Sequence, residues 1–272
     1  MTRVALFVTC LADQFWPSAA IAAAEVLRRV GCSVDFDARQ TCCGQPAFNT
    51  GYRREARTLA RRTIEIFESS AADAIVCPSG SCTAMLRHYE QLFDGSSSPC
   101  SVSFPLSGTE RGSGGEAGTE VGKEGWHERA RKLAARTYEL SAFLVNVLGM
   151  EDVGASFRGR LTWHDACHGL RDLGIRDEPR RLLRHVRGAE LVELPPQSAE
   201  ACCGFGGTFS VKYPEISVAI LDEKIDAIER TGVDAVVSGD ASCLMQIGGR
   251  LSRRGSRVRP LHLAEILASH AS

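Results

Sequence analysis

The chain writes Cys-Cys-Gly twice, in "QTCCGQPAFNTG" at residues 40–51 and in "EACCGFGGTFSVKYP" at residues 200–214. Adjacent thiols are poorly placed to bond each other. Their Cα atoms lie about 3.8 Å apart, below the usual disulfide span. They suit thiolate chemistry instead: soft donors to zinc, to an iron–sulfur centre, or to thiol–disulfide exchange. A single tetrahedral zinc usually takes its sulfurs from C-x2–4-C knuckles. Neighbouring cysteines fit a polynuclear centre better, because each can reach a different iron. Residue types alone leave all three chemistries open.

The cysteines also repeat. Aligning the halves pairs Cys10 with Cys167, Cys42 and Cys43 with Cys202 and Cys203, and Cys82 with Cys243. The intervals are 31 and 38 residues in the first copy, 34 and 39 in the second. "ADAIVCPSGSCTAML" (72–86) lies in register with "VDAVVSGDASCLMQI" (233–247). Eight of the eleven cysteines are therefore matched, as an internal duplication requires. Of the rest, Cys32 reads as a core thiol and Cys100 as incidental. Cys77 is a candidate for a displaced fifth thiolate, although its counterpart is Ser238. His164 and His168 flank Cys167 and read as hydrogen-bonding groups near the centre or as structural residues. Lys212 and Lys224 are candidates to balance thiolate charge, Lys224 more simply as part of a solvated helix face.

Elements must bring these residues together. The first half reads strand (4–10), helix (17–31), strand (33–37), helix (52–70), strand (72–78), helix (81–93). The second half repeats that order from residue 159. Strands alternating with helices predict parallel sheets. The fold class is α/β, with two similar parallel-sheet halves related by pseudo-twofold symmetry. Each first cysteine is expected to end its strand, with the Cys-Cys pairs and last cysteines in loops at the same carboxyl edge, where doubly wound sheets place ligands. The expected organisation is a first repeat (1–93), a Gly/Ser-rich insertion (94–125), a connecting helix (126–150) and a second repeat (151–272). Gly and Ser supply 15 of the 32 residues of 94–125, which reads as a mobile linker. Leu133, Leu140, Leu144 and Val147 line one face of the connecting helix.

The composition excludes some functions. A net charge of −1 gives no basic field for nucleic acid. No apolar run approaches membrane-spanning length, and "MTRVALFVTC" reads as a strand and not as a signal peptide. The reading is a cytoplasmic protein with reduced thiols.

"TCCGQPAFNTG" (41–51), "HDACHGLRDLG" (164–174), "ACCGFGGTFSVKYP" (201–214) and "GDASCLMQIGG" (239–249) resemble the lactate utilization protein A family. This is a branch of the cysteine-rich CCG-domain proteins, which include the CCG-bearing component of heterodisulfide reductase and the iron–sulfur component of glycolate oxidase. The resemblance covers nearly the whole chain outside 94–125. It implies a redox subunit of a multi-subunit, NAD-independent system oxidising L-lactate to pyruvate. It also implies a ferredoxin-like iron–sulfur subunit and a third subunit as partners. Up to two [4Fe-4S]-type clusters are implied, held by Cys10, Cys42, Cys43 and Cys82 and by Cys167, Cys202, Cys203 and Cys243. The fuller family pattern ends each copy in Cys-x-x-Cys, and here Ser79 and Asp240 replace the first of those cysteines. Rival readings are a heterodisulfide-reductase-like thiol–disulfide oxidoreductase and a zinc-stabilised interaction module.

Overall fold

The structure, a computed structural model, describes residues 1–94 and 123–270. Eight strands form two sheets of four. They are β1 (Arg3–Leu6), β2 (Ser33–Asp35), β3 (Ala74–Cys77), β4 (Thr137–Glu139), β5 (Ser156–Trp163), β6 (Arg187–Leu191), β7 (Ala235–Ser238) and β8 (Arg259–His262). The orders are β2-β1-β3-β4 and β6-β5-β7-β8, and every pairing is parallel. The duplication is therefore structural: corresponding strands hold corresponding places.

The strand period of two explains how the halves join. Val4 and Leu6 of β1, Ala74 and Val76 of β3, Leu161 and Trp163 of β5, and Ala235 and Val237 of β7 enter one shared core. That core also takes Val26 and Leu27 from the helix Pro17–Arg29 and Leu263, Ile266 and Leu267 from the helix Leu263–Ala268. The alternate residues Ala5 and Ile75 face a core confined to the first half, and Val236 faces one confined to the second. Polar contacts reinforce the junction. Arg29 donates to the carbonyls of Leu267 and Ala268 at 2.8 Å each, and Trp16 Nε1 donates to Glu265 at 3.0 Å.

Two expectations need correction. Residues 126–150 do not form one helix. A helix Lys123–Ala135 gives way to β4, which pairs with β3 through Ile75, Val76 and Cys77, and two helical turns follow. Leu133, Leu140 and Leu144 are buried, but Val147 is exposed. Without β4 the edge of β3 would present unpaired backbone groups, and the chain uses its first β-favouring residues, Thr137 and Tyr138, to pair them. The last helix begins at Leu263, after Leu261 and His262 have paired with β7. Finally, neither Cys10 nor Cys167 ends a strand, since β5 stops at Trp163, before Cys167. β1 stops at Leu6, and Cys10 opens the short helix Cys10–Phe15, whose Ala12 N–H is capped by Thr9 Oγ1 at 3.1 Å. The Gly/Ser-rich insertion, with Cys100, lies outside the described residues apart from its ends.

Candidate metal centre

The cysteines gather where the carboxyl ends of both sheets meet. A cavity of about 380 Å³ is lined by Cys10, Cys42, Cys43 and Cys82 from the first half and by Cys167, Cys202, Cys203 and Cys243 from the second. All eight duplicated cysteines therefore reach one space, and none is set apart. Their burial repeats as well. Cys43 and Cys203 are each 2% exposed and Cys82 and Cys243 each 8%, while Cys10, Cys42, Cys167 and Cys202 are half-buried. The ten cysteines among the described residues are all free thiols.

Within each half the sulfurs form a chain of contacts. Cys10 meets Cys42, Cys42 meets Cys43, and Cys43 Sγ lies 3.3 Å from Cys82 Sγ. Cys167, Cys202, Cys203 and Cys243 repeat the sequence of contacts. The glycine of each Cys-Cys-Gly has a left-handed backbone, at φ +87° for Gly44 and +80° for Gly204. That conformation turns the glycine N–H onto the first sulfur of the pair, at 3.4 Å for Cys42 and 3.3 Å for Cys202. At Gly204 a Cβ would meet the Ser217 carbonyl oxygen at 2.4 Å.

The electrostatics follow from this crowding. The hydrogen bond from Cys10, then that from Cys43, draws Cys42 down to about 3 against burial, and Gly44 N–H assists. Cys202 is drawn to about 2, first by Cys167 and then by Cys203. Cys43 is pushed up first by Cys42, then by Cys82 and burial, and Cys203 first by Cys202, then by Cys243 and burial. One sulfur per tetrad is thus held as a thiolate among thiols. This donor set fits a sulfur-ligated metal centre: four soft donors per half, two mostly shielded from water, with a backbone N–H aimed at the most anionic sulfur.

Ser79 and Asp240, which stand where the family pattern has cysteine, have another task. Each caps the helix that carries the last cysteine. Ser79 Oγ accepts from Cys82 N–H at 3.3 Å, and Asp240 Oδ1 accepts from Ser242 N–H at 3.1 Å. Asp240 Oδ2 also crosses to the first half, accepting from Ser81 N–H at 2.9 Å and Ser79 Oγ at 3.2 Å. A second crossing runs from Gln45 to His168 Nε2 at 3.3 Å, and His168 Nδ1 meets Asp172 at 2.5 Å. The spacing S/D-x-x-C ahead of an apolar helix already carried the capping signal. The bridge between halves is a tertiary fact.

Other candidates separate clearly. Lys212 is exposed. Lys224 is 1% exposed, not on a solvated face. Its ammonium donates to the carbonyls of Ser198 and, at 2.9 Å, Ala199. Burial lowers it to about 8, while Cys203 and Asp165 oppose that shift. The helix spacing Ser217, Leu221, Lys224, Ile228 puts it on the inner face, a signal its charge disguises. Cys32 belongs to the shared core. Cys77 is fully buried at the end of β3 and lies against Cys82. Tyr89, which sequence reasoning missed, is buried and donates to the Cys43 carbonyl at 2.8 Å. His164 is fully buried, with a ring nitrogen and the sulfurs of Cys203 and Cys243 all within 4.8 Å of one another.

Fold and site together define a duplicated parallel-sheet protein that gathers soft thiolates from both halves at one cleft. The family model of the cysteine-rich CCG domain matches it twice, over residues 4–87 and 161–248. Lactate utilization protein A of Geobacillus kaustophilus is 46% identical over 265 residues, covering 97% of this chain and 98% of that protein. Lactate utilization protein A of Bacillus subtilis is 45% identical over 267 residues, covering 98% and 99%. The chain belongs to the cysteine-rich CCG-domain family, in the branch of the lactate utilization A proteins. A putative Asp/Glu racemase structure from Yersinia pestis matches at 12% identity over 98% of this chain and 96% of its own, with a TM-score of 0.35, too low to inform the function. No helix among the described residues is long and apolar enough to cross a membrane.

Proposed function

We propose that this chain is the iron–sulfur subunit of a multi-subunit system that oxidises L-lactate to pyruvate. In this reading Cys10, Cys42, Cys43 and Cys82 hold one [4Fe-4S]-type cluster, and Cys167, Cys202, Cys203 and Cys243 a second. The observation that carries the reading is the convergence of both cysteine tetrads on one cavity. The near-full-length similarity to lactate utilization A proteins supports lactate as the substrate. Such clusters take up and release single electrons. The protein's own residues hold the donors in place and exclude water from the inner sulfurs. The Gly44 and Gly204 N–H groups stabilise negative sulfur. The buried Lys224 ammonium offsets charge at the second tetrad. The free thiols fit a reducing cytoplasm. The electron partners in this reading are a ferredoxin-like iron–sulfur subunit and a third subunit.

Anaerobic purification tests the proposal. The expected product is brown, with about four iron and four sulfide per cluster, and it co-purifies with the two partner subunits. The visible bands of that complex bleach when L-lactate is added. A colourless protein containing zinc, or an iron protein whose complex never responds to lactate, overturns the assignment.

A further inference from the structure

We propose that His164 supplies a nitrogen donor to the metal centre of the second cysteine tetrad, so that the two halves hold chemically unequal centres. The inference rests on the iron–sulfur reading and deepens it. His164 follows β5 directly. Its backbone is satisfied: its N–H donates to the Val237 carbonyl at 2.8 Å, and its own carbonyl accepts from Ser238 Oγ at 3.1 Å. Its ring is not. The side chain is 0% exposed, and neither Nδ1 nor Nε2 has a hydrogen-bond partner among the described residues. An imidazole buried with both nitrogens unpaired carries an uncompensated desolvation cost. A ligand at the nitrogen removes part of that cost. The nearby sulfurs of Cys203 and Cys243 mark where such a ligand would sit.

The duplication shows that the fold itself does not need the imidazole. Phe7 holds the same place in the first half, three residues before Cys10 as His164 is before Cys167. Its N–H makes the same backbone bond, to the Val76 carbonyl at 2.9 Å, and its ring fills an apolar core. An apolar ring therefore satisfies the packing, and the polar one stands only where the second tetrad lies. The first half carries a different extra donor, Cys77, at the end of β3 against Cys82. Its counterpart Ser238 spends its hydroxyl on the His164 carbonyl. Each half thus brings one further donor from a strand end, sulfur in the first and nitrogen in the second. A neutral imidazole in a thiolate-rich set disfavours electron addition less than another anionic sulfur does, so its centre takes an electron at higher potential. Buried Lys224 acts in the same direction. The second half is then the electron's resting place.

The test uses full-length protein labelled with 15N-histidine, purified anaerobically and reduced stepwise. Pulsed EPR is expected to show strong 15N coupling on the higher-potential signal alone. His164→Phe, which installs the first half's residue, is expected to abolish that coupling and to leave the midpoint of the other centre unchanged. His164→Cys is expected to retain iron with a lowered midpoint. Two clusters without 15N coupling in the wild type overturn the inference while leaving the iron–sulfur reading intact. So does coupling that persists in His164→Phe. A wild-type protein without iron overturns the iron–sulfur reading and this inference with it.

Discussion

Replacing Glu139 by glutamine should make the protein less sensitive to rising pH. Glu139 ends β4 and is buried at the junction of the halves, where a Cβ at Gly239 would stand 3.3 Å from its Oε1. Burial pushes its carboxyl from 4.5 up to about 7, although hydrogen bonds from Ser141 and Ala142 pull the other way. The folded protein therefore binds this proton more tightly than the unfolded chain does. Stability from this group is fully present below about pH 4.5 and is lost as pH rises through 7. The full linkage is about 3 kcal/mol, of which about 2 kcal/mol falls between pH 5.5 and 8. Glutamine is the permanently neutral analogue of the protonated acid and keeps an acceptor for the Ser141 N–H. The stability of Glu139→Gln relative to wild type should then improve by about 2 kcal/mol between pH 5.5 and 8, or roughly 4–8 °C in Tm. Paired urea titrations at the two pH values measure it. A difference that does not change with pH, or that moves against the variant, refutes the claim that a buried carboxyl titrates at this junction.

Other substitutions follow from the same contacts. Cys203→Ser should lose the iron of the second tetrad, whereas Cys32→Ala, in the shared core, should keep all iron and lose about 1–2 kcal/mol of stability. Iron assays beside urea melts separate the two, and full iron in Cys203→Ser would remove that sulfur from the ligand set. Gly204→Ala forces a left-handed alanine against the Ser217 carbonyl and should cost at least about 2 kcal/mol, against about 1 kcal/mol for Gly207→Ala, where nothing lies within 4 Å. Equal melts for the two glycine variants would show that the close approach is relieved by movement. Asp240→Ala removes a helix cap and strands the Ser81 N–H, for a loss of about 2–3 kcal/mol. Asp240→Asn should recover about half of that in the same melt, and no recovery would mean that the charge itself holds the halves together.

The amino-acid sequence alone determined what can be written along a line. The in-register cysteines, the Cys-Cys-Gly turns, the alternation of strand and helix and the family membership are all local patterns or repeats, and each survives without knowing how the halves meet. Two short strands beside helical patterns were not legible. β4 is three residues long and β8 four, both lie beside helical patterns, and only pairing with β3 and β7 makes them strands. Lys224 hides in the sequence because its charge outweighs its place on the inner helix face. His164 carries no sign of its isolation there, since an unpaired ring nitrogen is defined by the neighbours it lacks. The union of two tetrads around one cavity belongs to tertiary structure alone. It depends on the inner faces of both sheets sharing a core and on the Asp240 carboxylate crossing from one half to the other, a contact that joins residues 161 positions apart.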